Sequence, residues 1–171
     1  MKRYILTVMM SLVLFAGSAF AAGNMPQVKE KSEAEKFILQ LAKVKASEID
    51  YAYISATMFK QMFSMIGAEV ALEGISHPLT SIKSLRKFAT TGKTGYALLK
   101  KHIAQFLQED DNVMGMELMA LSRENGVLTA IYSGSGNILV VSDFDNELSL
   151  LFIVGLDYES FKVMNESGIG F

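Results

Sequence analysis

The chain carries 11 Met and no Cys, so sulfur chemistry here is limited to thioethers. Met58, Met62 and Met65 recur at helical spacing, with Phe59, Phe63 and Ile66 beside them. Met114 and Met116 would place two more thioethers on one strand face. Soft sulfur suits Cu(I). Met is equally the residue that fills irregular cores, and these positions coincide with predicted buried faces. Packing is therefore the primary reading. An exposed face at Met58, Met62, Phe63 and Met65 would instead form an adaptable surface for a partner helix or an acyl chain.

The other chemical candidates fail on pattern. Gly92-Lys93-Thr94 sits between a possible strand and a helix, where a phosphate loop would lie. That loop needs a Gly five residues before Gly92, and the residue there is Lys87. Asp143, Asp145, Asn146 and Glu147 gather oxygen ligands, but without the loop length and Gly of a calcium loop. A solvated hairpin tip explains them. Only His77 and His102 are present, and with no Cys they do not make a zinc or transition-metal set. Gly134-Ser135-Gly136 is a turn signal, and no G-x-S-x-G nucleophile elbow occurs. A pair of catalytic carboxylates is defined by spatial separation, so a small hydrolase with unassigned carboxylates stays open. Lys83, Arg86, Lys87, Lys93, Lys100 and Lys101 form one basic stretch, read as a solvated face.

Composition narrows the classes further. Half of the 171 residues are hydrophobic, too many for a disordered chain. The balance of 16 Lys+Arg against 18 Asp+Glu lacks the basic excess of a nucleic-acid binder. Lys2 and Arg3 precede an uncharged apolar run from Tyr4 to Phe15. Ala19-Phe20-Ala21 then supplies the small-x-small pattern of a cleaved secretory leader, with the cut between Ala21 and Ala22. No Cys follows, so a lipid-anchored N-terminus is not expected. No later run is long enough to span a bilayer. The expected destination is the periplasm or the exterior, and one core can form without disulfides.

The elements that must position these residues read as one α+β domain over 32–164, after a leader over 1–21 and a lead-in over 22–31. A Gly-containing tail covers 165–171. Ser32 and Glu35 fit a capping box for a helix to about Lys45. Ile49 to Ser55 alternates as a strand, with Ile49, Tyr51 and Tyr53 sharing a face. Thr57 to Ile66 reads as a second helix, Gly67 to Thr80 as loop, and Ser81 to Ala89 as a strand. Thr94 is expected to cap a third helix to about Gln108. Val113 to Arg123 and Val127 to Ser133 form a hairpin across Asn125-Gly126, the strongest short hairpin signal. Asn137 to Phe144 and Leu148 to Leu156 form another across Asp145-Asn146. Leu150 to Val154 is apolar on both faces, which places it centrally. Asp157 to Met164 closes the domain as a short helix. The expected architecture is an antiparallel sheet of five or six strands with helices mainly on one face.

In this arrangement the chain resembles the domain-of-unknown-function family 4252, small exported proteins of Bacteroidetes-type Gram-negative bacteria. The resemblance rests on the leader, the segment Tyr53-Ile54-Ser55-Ala56-Thr57-Met58-Phe59, and the hairpins Met116 to Tyr132 and Ile138 to Gly155. It implies an exported accessory role and supplies no catalytic residue or cofactor. Three readings follow: a non-catalytic interaction module of the cell envelope, a carrier of a small apolar ligand, and the small hydrolase.

Overall fold

The computed structural model describes residues 31–44, 46–65, 81–108 and 110–166, with the side chains of 62–65 outside that description. The proposed leader with its cleavage site at Ala21 and Ala22, His77 and the expected loop after Ile66 lie outside the described residues.

Chain order is α1 (Glu33–Leu41), β1 (Ile49–Ser55), α2 (Ala56–Met65), β2 (Ser84–Thr90) and α3 (Gly92–Ile103). A 3-10 turn (Ala104–Leu107) follows, then β3 (Asn112–Val113), β4 (Met116–Glu124), β5 (Val127–Gly134), β6 (Asn137–Phe144), β7 (Glu147–Val154) and α4 (Tyr158–Glu166). The seven strands form one sheet in the order β1-β2-β7-β6-β5-β4-β3. Every neighbouring pair is antiparallel.

Local chemistry explains most boundaries. The Ser32 hydroxyl accepts from the Glu35 N–H at 3.2 Å and starts α1. Three two-residue turns join the β4–β7 meander: Asn125-Gly126, Ser135-Gly136 and Asp145-Asn146. All six residues have positive φ, the left-handed pair that matches strand twist in tight hairpins. The count of seven exceeds the expected five or six because Val113 to Arg123 is not one strand. Met114 (φ 52°) and Gly115 (φ 73°) turn the chain back, splitting off the two-residue β3. Thr94 is not the cap of α3 either. That helix starts at Gly92 behind Thr91, and Thr94 lies in its first turn.

Helices cover both faces of the sheet. On one face α1 (Ala34, Ile38, Leu41) and α3 (Leu99, Ile103) pack with Phe88, Leu150 and Phe152. On the other, α2 (Phe59) and α4 (Phe161, Met164) pack with Ile54, Leu85, Ile138 and Ile153. The expectation of helices mainly on one face is corrected by this division. The reason lies in β6 and β7. Ile138 and Leu139, like Phe152 and Ile153, are successive residues that point to opposite faces, and all four are fully buried. A sheet apolar on both sides in its centre needs cover on both sides.

Candidate functional site

The alternation of β1 puts Ile49, Tyr51 and Tyr53 on the α1/α3 face. The register sets Tyr51 opposite Phe88 and Tyr53 opposite Arg86. Phe88 is buried and belongs to the core, and its ring supports the Tyr51 ring in a tilted pair with a centroid distance of 5.0 Å. Tyr51 and Tyr53 are 36% and 47% exposed. Arg86 bridges the two rings. Its Nη1 donates to the Tyr51 hydroxyl at 2.7 Å, and its guanidinium carbon lies 4.5 Å from the Tyr53 ring centroid. Cation–π stacking and a hydrogen bond hold the planar group in one orientation. Among the described residues Arg86 forms no ion pair, so a charged fork with further N–H donors remains at this surface.

A second polar group joins α3 to the β6–β7 hairpin. Lys100 Nζ donates to the Tyr96 hydroxyl at 2.5 Å and to Asp143 Oδ2 at 3.1 Å, and the Tyr96 hydroxyl donates to the same carboxylate oxygen at 3.2 Å. Arg123, Leu128 and Asn146 line an open hollow of about 480 Å³ around this group. Hydrogen bonding to Tyr96 and Asp143 raises the Lys100 pKa, so the amine stays charged. A lysine held as ammonium is no nucleophile or base near neutral pH. The group acts as a clamp between helix and hairpin.

The structure disperses the other sequence candidates. Met58 is half-buried against the α2/α4 core, and Phe59, 2% exposed, anchors the helix. Met62, Phe63 and Met65 lie on the same helix, with side chains outside the description. Met116 is buried and Met114 sits in the turn before it, so the two do not share a strand face. Gly92-Lys93-Thr94 forms the first turn of α3, where the left-handed φ of Gly92 (76°) bends the chain into the helix. Asp145 and Asn146 form the hairpin tip, while Asp143 is held by Lys100. Among the described residues no group of three or more His, Asp or Glu could hold a metal ion. His102 is exposed on α3.

Strand alternation in the sequence puts Tyr51 and Tyr53 on one face, whereas Arg86 stands there only as one member of a basic stretch. Residues 51 and 86 meet only through strand register, and no local pattern announces that pairing. Lys87, its neighbour, points to the opposite face, where burial lowers its pKa.

The fold is thus an α+β domain built on a single antiparallel sheet with helices on both faces. No family model matches the chain, and no curated protein or solved structure shows significant similarity to it.

Proposed function

We propose that the protein is an exported, non-catalytic interaction module of the cell envelope, akin to the domain-of-unknown-function family 4252. The Tyr51–Arg86–Tyr53 stack is its contact surface. One observation carries this reading: Tyr51 and Tyr53 are left exposed on the end strand of the sheet, and both are fixed by the half-buried Arg86 of the neighbouring strand. Tyr and Arg dominate interface hot spots because they offer large rigid area with polar ends. Prior fixation lowers the ordering cost of binding. The leader-like N-terminus supports export, and the Lys100–Asp143 pair supports a structural use of the other polar cluster. The hollow beside that pair is polar-rimmed, which does not suit an acyl chain. Met58, Met62, Phe63 and Met65 remain a secondary contact region, since α2 follows β1 directly.

The test is cross-linked affinity capture of the tagged protein from native cells, with proteomics of the envelope fraction. Wild type runs beside a Tyr51→Ala/Tyr53→Ala double variant checked for folding by circular dichroism. A reproducible partner lost in the folded variant supports the reading. A wild type that captures nothing above control, or a partner kept by the variant, overturns it.

A further inference from the structure

We infer that β1 is a docking edge for an extended acidic segment of the partner, which adds as an eighth strand and places a carboxylate on Arg86. This deepens the proposed function and rests on it.

The first support is backbone parity. The Thr91 N–H donates to the Glu48 carbonyl at 2.9 Å, and the Ala56 N–H to the Lys83 carbonyl at 3.0 Å. Both pairs continue the β1–β2 register, in which Ile49 faces Thr90 and Ser55 faces Ser84. Hydrogen-bonded and non-hydrogen-bonded pairs alternate along an antiparallel ladder. Asp50, Ala52 and Ile54 therefore bond to β2, while the N–H and C=O groups of Tyr51 and Tyr53 point away from it. The Ile49 N–H fits this parity, since it donates to Ala46 rather than to β2. Among the described residues no strand pairs with this side of β1, so the residues whose side chains form the exposed stack are also those whose main chains point outward from the sheet. An added strand would bond to Tyr51 and Tyr53 while its side chains met their rings and Arg86.

The second support is how differently the two ends of the sheet are guarded. At the far end a bulge at Met119 breaks the β4 register, and the two-residue β3 covers its start. Bulges and short end strands are common protections against stray pairing. The β1 register is unbroken over seven residues, and Ile-Asp-Tyr-Ala-Tyr-Ile-Ser contains no Lys and no Pro.

Charge selects the occupant. Arg86 is a cation with free donor capacity and no carboxylate among the described residues, placed beside the edge on the face of Tyr51 and Tyr53. An acidic side chain opposite Tyr53 would meet it in a charge-assisted, bidentate pair. A second copy of β1 fits less well. Its one acid, Asp50, lies on the opposite face from Arg86, so self-pairing would leave the guanidinium without a carboxylate.

The experiment titrates the 15N-labelled protein with the blocked peptide Thr-Val-Glu-Val-Thr, its Gln counterpart, and a form N-methylated at alternate residues. Expected are amide shifts centred on Tyr51 and Tyr53, about tenfold weaker binding by the Gln peptide, and none by the N-methylated form. Arg86→Met should erase the Glu/Gln difference. Absence of β1 shifts, or equal binding of Glu and Gln peptides, overturns the inference. Concentration-dependent β1 shifts without peptide would do the same, since the occupant is then a second copy. A captured partner that depends on Tyr51 and Tyr53, together with peptides that fail to bind, would leave the proposed function standing and remove strand addition alone.

Discussion

Replacing Tyr132 with Phe removes one oxygen from the centre of the fold, and the structure sets what that should cost. Tyr132 is fully buried in β5, and its hydroxyl donates to the Phe106 carbonyl at 3.1 Å. Phe106 lies in the 3-10 turn that ends α3, where the last carbonyls have no partner within the helix. Tyr132 supplies that partner and ties the helix end to the sheet. Tyr132→Phe keeps the ring and its edge-on packing with Phe106, whose centroid is 5.4 Å away. The loss is confined to the hydrogen bond and the stranded buried acceptor, worth about 1–3 kcal/mol. Tyr132→Ala would also open a cavity and cost about 3–5 kcal/mol. Urea unfolding with a shared m-value measures both. A Tyr132→Phe change below about 0.5 kcal/mol would refute the tie, because the Phe106 carbonyl would then have another donor. The same variant reports on alkaline stability. Burial, aided by the Asp110 charge, raises the Tyr132 pKa. The native state then holds this proton more tightly than the unfolded chain. Its stabilising effect is complete below the ordinary tyrosine pKa of about 10 and fades as pH rises through the folded value. Tyr132→Phe should therefore flatten the fall of stability above about pH 10.

Four further outcomes are expected. Gly95→Ala should destabilise, although Ala is worth up to about 1 kcal/mol more than Gly inside a helix; a Cβ at Gly95 would collide with the Glu48 carbonyl oxygen, so thermal melting should show a lower Tm. Asp157 caps α4 by accepting from the Ser160 N–H at 2.8 Å, which holds its pKa down, so Asp157→Ala should cost about 1 kcal/mol in urea titration at neutral pH. The ionised cap stabilises above the ordinary aspartate pKa of about 4, fading as pH falls through the lowered folded value, and Asp157→Asn should flatten this acid limb. Lys100→Met should leave stability within about 1 kcal/mol at neutral pH, because its pair with Asp143 is partly exposed.

What was legible in the sequence was local. The Ser32 cap, the Ile49–Ser55 strand and the Asn125-Gly126 turn each depend on a few adjacent residues, and the structure contains all three. The central position of β7 was legible too, because a run apolar on both faces has nowhere else to go. The departures have separate physical sources. Met114 takes a left-handed conformation that its type does not signal, and the β3–β4 contact rewards it. Thr94 looked like a cap because Thr favours caps, yet Gly92 had already started the helix. Gly95 reads as a weak helix residue until Glu48 is seen against it. Only at Gly95 is the deciding partner distant in sequence; at Met114 and Thr94 it lies within a few residues.

The same distinction separates the two polar surfaces. Lys100 and Asp143 are opposite charges that find each other within the fold, and Tyr96 completes their hydrogen bonding. Such a group does its work by holding α3 against the hairpin. Arg86 spends one donor on Tyr51 and a face on Tyr53, and among the described residues it meets no carboxylate. It stands beside main-chain groups that the β1–β2 ladder turns outward. A cation on β2 and two rings on β1 therefore converge beside a strand edge that no other strand pairs with among the described residues. Complementing them together takes another chain in extended form, which is why the interaction is assigned to β1 rather than to the open hollow beside α3.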